Sequence, residues 1–197
     1  MGCLNLLSLD GVKSVLGITD TTHDAALTKA MCIVTELFEN YCGRGLALVT
    51  ALSETYPMEK RIPARRFPIG SITSFTVDDV PEEVPKFDAV HGFFYGRWAP
   101  DSEVVVVYDG GYPQGDVPPD LAEAYARCCA DYGGVPYTSA GNAGGAPLKS
   151  LSLGSGALAV QFDTGGSQDS SYDTADAPAI LQPYVFVLRR YRPEDYV

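Results

Sequence analysis

Histidine is nearly absent from this 197-residue chain: His23 and His91 are the only two. Proton transfer at neutral pH relies on histidine more than on any other side chain, so the chain offers few general bases. Zinc is disfavoured on the same ground. Neither histidine stands at ligand-like spacing to the five cysteines, Cys3, Cys32, Cys42, Cys128 and Cys129, and no C-x-x-C occurs. The odd cysteine count reads instead as small buried hydrophobes in a reducing compartment, with Cys128 and Cys129 pointing apart on one predicted helix. Long apolar runs are missing too: none approaches the roughly 20 residues that span a bilayer. The opening MGCLNLLSLD lacks a basic n-region and a cleavage pattern, so a signal peptide is not expected. Myristoylation is not expected either, because Leu6 stands where that pattern wants Ser or Thr. Cations are scarce, 14 Lys and Arg against 25 Asp and Glu, for a formal charge of −11. Such a chain is poorly suited to gripping phosphates, although nucleic acid can pass beside it unbound.

The usual catalytic signatures are also lacking. GNAGGAPLKS resembles a phosphate loop only faintly, because Leu148 precedes Lys149 where glycine is required. Neither G-x-S-x-G nor H-E-x-x-H occurs. The best enzymatic lead is Phe162-Asp163-Thr164-Gly165, the turn in which an aspartic protease would present Asp163. Gln161 and Gly166 depart from that pattern, and an Asx/Gly turn is the plainer reading. The acidic loop around it does not follow calcium-loop spacing. No catalytic, cofactor or metal residue is therefore assigned, and Asp163 is kept as an alternative.

What is present is an ordinary globular composition, 46% apolar and 20% charged. A short helix is predicted over 8–17, with Ser8 as N-cap and Gly17 just past its end. A second runs over 24–41, with Leu27, Ala30, Met31, Val34, Leu37, Phe38 and Tyr41 in one stripe, and ends before Gly43. From 46 to 108 the pattern turns to short β-rich runs broken by prolines, an insertion of hairpins or a small antiparallel sheet. A third helix is predicted over 119–132, started by Pro118-Pro119-Asp120, with Leu121, Ala124, Tyr125, Cys128 and Tyr132 on its apolar face. Gly110-Gly111, in VVVVYDGGY, is expected to turn the corner that seats this helix on the second. A glycine-rich loop, two short strands (LKSLSLG and ALAVQF) and an acidic loop follow. The expected class is α+β: packed helices with inserted β-hairpins, one unit over 1–183, and an extended or partly helical C-terminal arm over 184–197.

Two charged runs stand out. Lys60, Arg61, Arg65 and Arg66 make one basic, while Asp78, Asp79, Glu82 and Glu83 belong to an acidic stretch over 78–88. Such runs are usually solvated faces; their opposite signs also suit a head-to-tail contact between copies. In the arm, Tyr184, Phe186, Leu188 and Tyr191 offer apolar anchors, and Arg189, Arg190 and Arg192 offer charge. The same run, 184–188, equally suits completion of the core.

Taken in order, LDGVKSVLGITDTTHDAALTKAMCIVTELFENYCGRGL, VVVVYDGGYPQGDVPPDLAEAYARCCADYG, SLSLGSGALAV and LQPYVFVLRRY resemble the head–tail connector (adaptor, or head-completion) proteins of tailed bacteriophages. The resemblance covers more than half the chain; the 47–102 insertion is longer than the family leads one to expect. It implies packed helices with β-hairpins, no enzymatic activity and no cofactor. It further implies a virion protein, made in the host cytoplasm, that forms a ring of about twelve copies beneath the portal. That ring extends the DNA channel and receives the next neck component, and the C-terminal region engages the portal. A neck or tail-completion protein with other neighbours is the related alternative.

Overall fold

The computed structural model describes residues 4–57, 61–96, 98, 102–137 and 177–193. Helix α1 (Leu9–Leu16) starts where Ser8 accepts a hydrogen bond from the Gly11 amide, and it stops at Gly17 in the left-handed region. Helix α2 (Asp24–Cys42) ends in the same way at Gly43. Its predicted stripe is the buried face: Leu27, Ala30, Met31, Val34 and Phe38 are buried, with Leu37 and Tyr41 packed at the margin. Helix α3 (Pro119–Gly133) begins after Pro118 and ends at Gly134. Tyr132, expected on its apolar face, is 45% exposed, whereas Ala126, Cys129 and Ala130 are buried. The reason is that α3 packs against α1, α2 and the C-terminal helical turns at once, so its covered surface is wider than one stripe.

The β residues form two antiparallel sheets. Strands β1 (Val49–Pro57), β7 (Glu103–Gly110), β3 (Ile69–Val77) and β4 (Val80–Pro81) lie in that order in the larger sheet. Strands β2 (Arg61–Pro63), β6 (Phe93–Tyr95) and β5 (Lys86–Asp88) make the smaller one. The valine run at the centre alternates as a half-buried strand should: Val104, Val106 and Tyr108 face inward. Together with Tyr56, Ile62, Phe75 and Phe94 they make a core separate from the helical one.

The C-terminal run is helical, not an extended arm. A 3-10 turn (Ala179–Tyr184) leads through Pro183 into α4 (Val185–Leu188) and a last turn at Arg189–Tyr191. Leu181, Tyr184, Val185 and Leu188 are buried in the helical core. An apolar side chain buried in this way stabilises by roughly 1.5–3 kcal/mol, which outweighs the freedom an arm would keep. Cys42, Cys128 and Cys129 are buried and free, and burial pushes the Cys42 and Cys128 thiols up to about 12. Cys32 departs from the all-reduced expectation, because it is disulfide-bonded. Lys60, Asp163, most of the glycine-rich and acidic loops and the two strands expected between them lie outside the described residues.

Candidate assembly interface

Segments far apart in sequence converge at the seam between the two cores. Gly43 ends α2 in the left-handed region, and Arg44 follows it into the seam. Its guanidinium is 3.7 Å from the Phe67 ring centroid, with the Tyr112 and Tyr191 rings at 5.8 and 6.0 Å. It donates from Nε to the Tyr191 carbonyl and from Nη1 to the Phe67 carbonyl, each at 2.6 Å. One buried cation, 6% exposed, thus ties α2, the sheet and the C-terminal turn together. One turn earlier, Glu39 accepts from the Leu46 and Ala47 amides at 2.8 and 3.0 Å and pairs with Arg66 at 2.9 Å. Tyr112 closes the seam from the other side, exchanging backbone bonds with Leu46 and Leu48. The Gly110-Gly111 corner makes that approach possible. Gly111 has φ +104°, and a Cβ there would lie 2.5 Å from the Ala47 carbonyl oxygen.

The C-terminal turn is fastened to both ends of α3. Tyr184 donates to Asp131. Tyr191 donates to Asp120 at 2.6 Å, and Arg190 pairs with the same carboxylate at 3.3 Å. Burial, reinforced by these carboxylates, pushes the Tyr184 and Tyr191 phenols up. For Asp120, partial burial pushes the other way. The Tyr191 hydroxyl, the Leu121 amide and Arg190 outweigh it and hold the carboxyl below its usual range.

The candidate arm residues therefore divide. Tyr184 and Leu188 face the core and are not available as outward anchors. Tyr191 is half-buried against Tyr112. Phe186 is 61% exposed with Arg190 stacked over it at 4.9 Å, and Arg192 lies over Tyr41 at 5.4 Å. Arg189 is half-buried. Phe186, Arg190 and Arg192 make the outward face of the turn.

The charged runs divide as well. Arg66 is spent internally on Glu39, and Arg61 stacks on Phe93 at 3.5 Å. Arg65 projects outward, and among the described residues no ion pair holds its head group. Asp78 and Asp79, both at positive φ, form the tight turn joining β3 to β4. Glu82 and Glu83 follow on the exposed strand exit. Asp78 accepts the Glu103 amide at 2.8 Å, which holds its carboxyl below the usual range. Arg65 rims a groove of roughly 320 Å³ whose walls include Tyr56, Pro57, Ile62, Pro63 and Phe93.

Sequence reasoning left out Arg44 and Glu39 as key residues. The signal was present in ENYCGR, a charged residue on each side of a helix-ending glycine, but their partners lie up to 147 positions away. Among the described residues no group of His, Cys, Asp and Glu is arranged to hold a metal ion. No helix among them is long and apolar enough to cross a membrane.

No family model matches the chain, and no curated protein does. Solved structures similar to it include the following two. A chain of the "Virion of native gene transfer agent (GTA) particle" is 16% identical, with a TM-score of 0.49, over 73% of this chain and 84% of that one. A chain of the "Neck of empty GTA particle computed with C6 symmetry" is also 16% identical, with a TM-score of 0.47 and the same coverage. At this identity and score the likeness bears on neither site nor activity.

Proposed function

We propose that this chain is a non-enzymatic head–tail connector of a phage-like particle. It would form a ring of about twelve copies by heterologous contacts, dock beneath the portal, and extend the DNA channel towards the next neck component. One observation carries the reading. Three of the four segments that carry the sequence resemblance, those containing ENYCGR, VVVVYDGGY with PPDL, and LQPYVFVLRRY, meet at one seam through Arg44, Tyr112, Asp120 and Tyr191, while SLSLGSGALAV lies outside the described residues. Their meeting in one packed seam is what supports the reading. The charge of −11 fits a wall past which phosphates slide without sticking. On this reading the portal is met by the outward face of the C-terminal turn, Phe186, Arg190 and Arg192, with Arg189 beside it.

The test is negative-stain imaging of the purified protein with and without portal. Rings that cap the portal support the proposal, and capping should be lost in a Phe186→Ala, Arg190→Ala, Arg192→Ala variant that melts like the parent. A protein that ignores the portal yet joins tail components would instead mark a neck or tail-completion role. Pepstatin-sensitive cleavage abolished by Asp163→Asn would overturn the non-enzymatic reading.

A further inference from the structure

We infer that the β3–β4 hairpin of one copy seats in the groove between β1, β2 and β6 of the next. The inference rests on the ring reading and specifies which surfaces meet.

The hairpin projects four carboxylates from a short stretch: Asp78, Asp79, Glu82 and Glu83, all exposed. Asp78 is engaged by the Glu103 amide and the Ser102 side chain; among the described residues none of the four is in an ion pair. Between them stands Val80, 59% exposed, with Val84 exposed just beyond. An exposed valine set among exposed carboxylates suits an apolar seat with a basic rim.

The groove provides that combination. Tyr56, Pro57, Ile62, Pro63 and Phe93 give apolar walls, and Arg65 stands at the rim. The described acids near it, Glu54 and Asp88, are already committed. Glu54 accepts from the Tyr56 and Tyr108 hydroxyls and from the Arg65 amide, and Asp88 is paired with His91 at 2.8 Å. Among the described residues, the rim is therefore left with an unpaired cation, Arg65. Hairpin and groove share no residue, as a head-to-tail contact demands, since each copy then gives one patch and receives the other. A second copy is the occupant because the same chain carries both halves of the charge match.

The experiment uses the full chain and sedimentation across a concentration series, with thermal melts as the folding control. Arg65→Glu, and separately Glu82→Lys with Glu83→Lys, should each raise the concentration of half-assembly by about tenfold or more, since like charges placed together across an interface cost several kcal/mol. Combining all three substitutions in one chain restores the charge match and should recover most of the loss. Arg65→Gln and Glu83→Gln carry the same test at smaller amplitude if a reversal does not fold. A parent that assembles, with variants that assemble equally well, overturns the hairpin-in-groove contact and leaves the ring standing. A parent that stays monomeric at every concentration, alone and with portal, overturns the ring and the contact with it.

Discussion

Arg44 shows how much one side chain can join. Its charge is held in place by two carbonyls and three ring faces, which links the end of α2, the β2–β3 loop and the C-terminal turn. Arg44→Ala should cost about 3–5 kcal/mol, because two carbonyls lose their donor and a packed seam is left hollow. Arg44→Lys should recover little, since an ammonium cannot fork to both carbonyls while stacking flat. Urea unfolding midpoints decide both. Gly111 is the second such position. Gly111→Val meets two obstacles, a left-handed backbone and the Ala47 carbonyl where its Cβ must go, and should destabilise by about 3 kcal/mol or more. A soluble Gly111→Val protein with the parent's midpoint would remove the corner's role. Gly111 was legible in the sequence because GGY after a valine run signals a turn. Arg44 was not: an arginine after a helix-ending glycine is an ordinary surface residue until the chain folds Phe67 and Tyr191 over it.

Among the elements, the helices were the easiest to read. Capping residues and a regular stripe are local signals, and Ser8, Gly17, Gly43 and Pro119 mark the ends of α1, α2 and α3. The strands were visible as a class, but their division into two sheets was not, because pairing β7 with both β1 and β3 depends on partners 27 to 61 residues away, from Val77–Val104 to Val49–Gly110. The C-terminal turn was ambiguous for a related reason: YVFVLRRY suits a strand, an arm or a helix until a cleft is there to fill. Its attachment to α3 should respond to acid. The folded pKa of Asp120 lies below the roughly 3.9 of an unfolded aspartate. Its contribution is therefore complete above that value and is lost as pH falls through the folded pKa. Amide exchange in 185–191 should accelerate as pH drops from 5 to 3, after correction for intrinsic rates, and Asp120→Asn should flatten that dependence. An unchanged profile in Asp120→Asn would show that the carboxylate does not hold the turn.

At the scale of the whole molecule, two cores meet at one polar seam, and the C-terminal turn belongs to the helical one. Removal of 185–197 should therefore do more than erase a docking surface. It takes Val185 and Leu188 from the core and the Tyr191 carbonyl from Arg44, so the truncated chain should lose several kcal/mol of stability. A truncated protein with the parent's melting temperature would restore the picture of a dispensable arm. The placement of this turn also bears on biosynthesis. Leu181, Val185 and Leu188 leave the ribosome after everything they pack against, so the helical core of a nascent chain cannot close while α1, α2 and α3 alone have emerged. A translating copy therefore waits, partly open, until that turn has emerged.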